Sequence, residues 1–104
     1  MSETQFLIMC GLIAPAHGYA IMQTIEQLTT GAVSVGPGTM YGTLKKLLRK
    51  GLIIEVAHDE AQERRILYTL TTEGRELLER EIDRLQTLSA IGEQKRSELR
   101  KKHG

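Results

Sequence analysis

The sequence predicts a mainly α-helical fold interrupted by a single β-hairpin. Two observations carry that expectation. Apolar residues recur at helical spacing over residues 17–29, 36–51 and 71–91, with a shorter apolar segment at 3–13. Between the third and fourth of these segments the pattern changes to two β-branched or aromatic runs, 52–57 and 65–70, parted by a polar turn. A chain of 104 residues is one domain in size, close to the length at which association with a second copy helps stability.

Charge is distributed unevenly. The net charge is only +1, which alone gives no support to a nucleic-acid partner. Residues 1–35 hold two acids, Glu3 and Glu26, and no Lys or Arg. Residues 36–54 hold Lys45, Lys46, Arg49 and Lys50 and no acid, so the positive field is local. From residue 73 onward eight cations face seven acids. The single cysteine, Cys10, cannot form an internal disulfide and points to an intracellular, cytoplasmic chain. The apolar run 6–14 lacks a basic flank and is too short to span a bilayer, so neither a targeting segment nor a membrane partner is expected.

Residues 3–13 read as a short helix that is apolar on almost every side, and such a helix must be covered all round. Ala14-Pro15-Ala16 breaks it. His17-Gly18 opens a second helix to about Thr29, with Ile21, Met22, Ile25 and Leu28 on its core stripe, and residues 32–35 form an extended connector.

The third helix, 36–51, has both ends marked. Gly36 serves as N-cap and Pro37 occupies the first position, where its missing N–H is not needed. Gly51 suits the left-handed residue that ends a helix, and Arg49 and Lys50 sit where the dipole favours cations. Met40, Leu44, Leu47 and Leu48 share an apolar stripe, and Gly38, Thr39, Gly42, Lys45, Lys46 and Arg49 lie opposite. A mid-helix glycine such as Gly42 costs about 1 kcal/mol relative to alanine, and close approach of another surface is the usual reason for one. An apolar back, a small-residue front turn and a cationic outer face suit the DNA major groove. An ordinary solvated helix fits the same pattern.

The hairpin follows, and its tip carries Asp59, Glu60 and Glu63. Thr71 caps the last helix, with Glu73 in its first turn. Leu77, Leu78, Ile82, Leu85, Leu88 and Ile91 form a sustained seam, for which the first helix or a second copy of the chain is the available cover. Ser89, Ala90 and Gly92 mark either a close crossing or a weak point, and a frayed, solvated end is expected from Glu93. Helix, helix, helix, hairpin is the order of a winged helix-turn-helix, here over residues 1–71, with 72–104 as a C-terminal dimerisation helix.

No catalytic constellation, metal-ligand spacing or cofactor-binding motif is present, so neither an enzyme nor a cofactor is expected; His17, His58, His103 and Cys10 are not at ligand spacing. His17 reads as a helix-start residue, and Tyr19 and Tyr68 as core or interface aromatics. Tyr41, at the edge of the apolar stripe, reads as a phosphate donor or as a boundary residue. Arg64 and Arg65 are adjacent in a strand and so point to opposite faces.

These residues resemble the PadR family of bacterial winged-helix transcriptional regulators, in its short form. The resemblance rests on an ordered set: His17-Gly18-Tyr19, then Val35-Gly-Pro-Gly-Thr-Met-Tyr41 with Leu44, Leu47 and Gly51-Leu52-Ile53, then Arg64-Arg65-Ile-Leu-Tyr68-Thr-Leu-Thr71-Thr-Glu-Gly74. It implies a homodimeric repressor of an inverted-repeat operator in double-stranded DNA, released by a small ligand or stress signal. On that basis Thr39, Tyr41, Lys45 and Lys46 face DNA, with Arg64 and Arg65 at the wing. Phe6, Leu7, Met9, Leu78, Ile82, Leu85, Leu88 and Ile91 are the expected dimer interface. The chain has Gly36 where relatives commonly carry Ser, an acidic wing tip, and no tryptophan. A winged-helix protein-interaction module without DNA binding is the competing reading.

Overall fold

The computed structural model describes residues 1–58 and 66–103. The element order is α1 (Glu3–Cys10), α2 (Gly18–Leu28), α3 (Pro37–Arg49), β1 (Ile53–His58), β2 (Ile66–Leu70) and α4 (Thr72–His103). Residues 59–65, which include Arg64, Arg65 and the acidic residues of the wing tip, lie outside the described residues.

α1 starts on Ser2, whose hydroxyl accepts the Gln5 N–H at 3.1 Å. It stops at Cys10 rather than running on to residue 13. Gly11 turns the chain, and its Cα faces Ile21 so closely that a β-carbon there would lie 3.2 Å from Ile21 Cγ2. Ile8, Met9 and Leu12 are fully buried, and Phe6, Leu7 and Cys10 half-buried. Much of the apolar surface of α1 is therefore used inside the protomer. Met9, expected at a dimer interface, is part of the protomer's own core.

α2 begins at His17, whose Nδ1 accepts the Ala20 N–H at 3.1 Å, so the histidine fills the N-cap role usually taken by Ser or Asp. Ile21 and Ile25 are buried, but Leu28 is 60% exposed and does not complete the core stripe. The helix closes with Thr30 in the left-handed region (φ 53°), Thr30 N–H donating to Gln27 C=O and Gly31 N–H to Glu26 C=O. Thr29 stitches the following connector, its hydroxyl accepting the Val33 N–H at 3.1 Å.

α3 ends as its sequence predicts. Gly51 (φ 70°) donates to Leu48 C=O and Leu52 N–H to Leu47 C=O, the paired bonds that satisfy the last carbonyls of a helix. Met40, Leu44 and Leu47 are buried beneath it, with Leu48 half-buried.

β1 and β2 are antiparallel, with Ile53 opposite Leu70, Ile54 opposite Thr69 and Glu55 opposite Tyr68; the register shifts before His58 meets Ile66. Ile53, Tyr68 and Leu70 turn into the core. Ala16, read from sequence as part of a break, adds a third rung. It exchanges both backbone hydrogen bonds with Tyr68, at 3.0 and 2.9 Å. Leu70 N–H and Thr69 Oγ1 both donate to Leu12 C=O, tying the α1–α2 loop to the same strand.

Thr71 fastens α4 to this body. Its hydroxyl accepts the Gly74 N–H at 3.0 Å and donates to Gly51 C=O at 2.7 Å, and its N–H donates to Leu52 C=O. Arg75 reaches the Ile13 carbonyl at 2.7 Å. Leu78, expected at a dimer interface, is 4% exposed in the protomer and belongs to its core. From Ile82 to Lys101 every residue is exposed. The helix nevertheless continues to His103, so the frayed end expected from Glu93 is helical. Ion pairs Arg96–Glu93 and Lys95–Glu98, one turn apart, favour that continuation. Among the described residues a β-carbon at Gly92 would meet nothing within 4 Å, so Gly92 marks no crossing with them.

Candidate nucleic-acid interface

The N-terminus of α3 is open. Gly36 makes no side-chain cap, Pro37 follows, and no acid stands in the first turn. The orphan N–H groups of that turn leave a partial positive charge at an exposed helix end. Gly38, Thr39, Gly42, Lys45, Lys46 and Arg49 are all exposed. Among the described residues a β-carbon built at Gly38 or Gly42 would meet nothing within 4 Å, so packing against them gives no reason for either glycine.

The exposed surface of α3 divides into three lanes at 100° per residue. Gly38, Gly42, Lys45 and Arg49 form the ridge farthest from the buried stripe. Tyr41 lies on the flank toward α2, half exposed, and its ring seats on Gly18: a β-carbon at Gly18 would fall 2.8–2.9 Å from the Tyr41 hydroxyl and ring. Lys46 lies on the other flank. It lines a groove with Lys50, Leu77, Arg80, Glu81 and Arg84, so it is set apart from Lys45 and Arg49, with which sequence spacing had grouped it.

Burial pushes the Tyr68 hydroxyl above its ordinary pKa, and Glu55 and Tyr41 nearby add to the effect. Tyr68 is thus a core aromatic, whereas Tyr19 is 55% exposed. Gly18 and the Tyr41 ring pack together where α2 meets α3.

The expected interface residues separate into two sets. Met9 and Leu78 are enclosed, and Phe6 and Leu7 half-enclosed, within the protomer. Ile82, Leu85, Leu88 and Ile91 are 39–50% exposed along α4. Leu99, which sequence reading did not single out, is also exposed. Among the described residues no helix is long and apolar enough to cross a membrane.

Comparison with known proteins agrees with this architecture. A protein encoded in a Streptomyces fradiae transposon is 40% identical over 89 residues, which is 85% of this chain but only 24% of that protein; the chain spans about a quarter of its relative's length. A PadR family transcription regulator from Clostridium difficile superposes with a TM-score of 0.73 at 27% identity, covering 89% of this chain and 97% of the other. BpsR of Bordetella bronchiseptica, whose DNA binding is regulated by 6-hydroxynicotinic acid, shares the fold at a TM-score of 0.70 and 22% identity, over 88% of this chain and 60% of its own. Residues 8–80 match the profile of the transcriptional regulator PadR-like family, and the chain belongs to that family.

Proposed function

We propose that this regulator acts as a homodimer that binds an inverted-repeat operator in double-stranded DNA and represses transcription until a small ligand or stress signal releases it. The carrying observation is the ridge of α3: two glycines with no packing role among the described residues, beside Lys45 and Arg49 and behind an uncapped helix end. Small residues let the helix backbone approach base edges, while the cations and the helix N-terminus meet phosphates. Residues 1–71 would carry DNA binding, with Tyr41 donating to a phosphate and Arg64 and Arg65 serving the wing. Residues 72–104 would carry dimerisation.

The second copy is argued from α4. Ile82, Leu85, Leu88 and Ile91 are each about half covered, so completing their burial contributes roughly 1 kcal/mol apiece. A two-fold partner offers the same stripe in return. Phe6 and Leu7 of α1 would join Leu85 and Leu88 at the dimer centre, where a planar apolar effector would bind. A cytoplasmic location follows from this role.

Selection of bound duplexes from a random pool tests the proposal. The expected product is an inverted repeat whose half-sites are about 10 bp apart, or a multiple of that spacing. Enrichment of a lone half-site, or of nothing, would contradict it.

A further inference from the structure

The flank of α3 away from Tyr41 faces α4 across an open groove of about 510 Å³, a volume in the range of small-molecule sites. Its lining includes Lys46 on α3, Lys50 at the cap of that helix, and Arg80 and Arg84 on α4, together with Met1, Ser2 and Gln5 at the start of α1. Lys46 and Lys50 are four residues apart, as are Arg80 and Arg84, so each pair presents two like charges to the same side. Among the described residues, Lys46, Lys50 and Arg80 have no carboxylate within ion-pair distance.

Among the described residues Glu81 is the one carboxylate lining the groove; it is 8% exposed and already bonded. It accepts from Arg84 Nε at 2.8 Å and from Arg84 Nη2 at 2.7 Å. That bidentate pair neutralises Glu81 and fixes the Arg84 guanidinium, leaving three of its five N–H donors unused by Glu81. Among the described residues, four side-chain cations and the Met1 ammonium, itself 4.0 Å from Glu81 Oε2, thus line the groove against one spent acid, with one guanidinium oriented in advance.

We propose that this groove binds the phosphate group of a small soluble molecule, held between Lys46 and Lys50 at the C-terminal end of α3 and Arg80 and Arg84 of α4. A fork-shaped guanidinium and flexible ammonium groups match a tetrahedral oxyanion. An anion there ties the helix carrying the cationic ridge to the helix carrying the exposed apolar stripe, and so offers a control point separate from the ridge. The inference rests on the groove alone and not on the DNA-binding reading.

Calorimetric titration of the full chain with inorganic pyrophosphate, at constant ionic strength against chloride and sulfate, tests it. Pyrophosphate should bind in preference to chloride. Arg80→Ala and Lys50→Ala, both at exposed positions, should each weaken it about tenfold, as loss of one charge-assisted contact does, with unchanged circular dichroism. In a second arm the same variants should bind duplex DNA with the wild-type salt slope. Pyrophosphate binding no tighter than chloride, or unaffected by both substitutions, overturns the proposal. So does a duplex salt slope lowered by about one in Arg80→Ala, which would reassign the groove to the DNA backbone. The pyrophosphate arm needs no duplex, so failure of the DNA reading and failure of the groove are told apart.

Discussion

Gly74 packs directly on the backbone of Leu52: a β-carbon at Gly74 would overlap the Leu52 carbonyl oxygen and lie 3.3 Å from Leu70 Cδ2. The same carbonyl accepts the Thr71 N–H at 3.0 Å. The first turn of α4 is therefore clamped to the corner where α3 passes into β1, and the clamp consists of backbone, which cannot swing aside.

Gly74→Ala should destabilise the chain by about 1–3 kcal/mol, the usual range for overpacking, although alanine gains about 1 kcal/mol of helix propensity over glycine. Urea unfolding followed by circular dichroism measures this. A midpoint equal to or above wild type would show that the α3–β1 corner and α4 are not in contact as described. Gly18→Ala meets a side chain, the Tyr41 ring, which can move, so it should cost less stability.

Glu81 sets a second expectation, on acid stability. Its hydrogen bonds to Arg84 hold its carboxyl below the ordinary value of 4.5, with the charge of Arg84 helping and its enclosure opposing. A carboxylate with a lowered folded pKa contributes stability that is complete above the ordinary value and is lost as pH falls through the folded one. Glu81→Gln should therefore flatten the decline of the urea midpoint below about pH 4.5. If wild type and variant declined in parallel, the Glu81–Arg84 pair would not contribute to folding.

Ile82→Asp combined with Leu85→Asp should yield monomers by light scattering while the hairpin-bearing body stays folded. Both residues are exposed in the protomer, so the charges disturb only what covers the α4 stripe. Leu78→Asp, in contrast, should unfold the chain, because Leu78 is core. Persistence of a dimer in the double variant would place the interface elsewhere.

The helices and the hairpin were legible because their signals are local. Pro37 and Gly51 delimit α3, Thr71 caps α4, and β-branched or aromatic runs mark β1 and β2. What sequence could not supply depends on distant partners. Ala16 becomes a strand rung only because Tyr68 lies beside it, 52 positions away by their numbers. Leu78 shares the apolar periodicity of α4 with Ile82 and Leu85, which stay outside, and Met9 belongs to a helix apolar on almost every side; only packing shows that both are core. Lys46 differs from Lys45 by one step of 100°, enough to move it from the ridge to the groove once α4 crosses that flank. The end of α4 read as frayed because apolar residues thin out after Ile91, whereas its pairs of charges one turn apart suit a helix.

The central claim is that the glycine-fronted ridge of α3 meets double-stranded DNA, and a salt series of duplex titrations by fluorescence anisotropy tests it most directly. Wild type should bind duplex DNA with an affinity that falls steeply as salt rises, because neutralised phosphates release counterions. Gly42→Glu places a carboxylate on the exposed ridge, where a β-carbon meets none of the described residues, so it should leave the fold intact and abolish binding. A protein that ignores duplex DNA at low salt, or a Gly42→Glu variant that binds as wild type does, would contradict the account and favour a protein-interaction module.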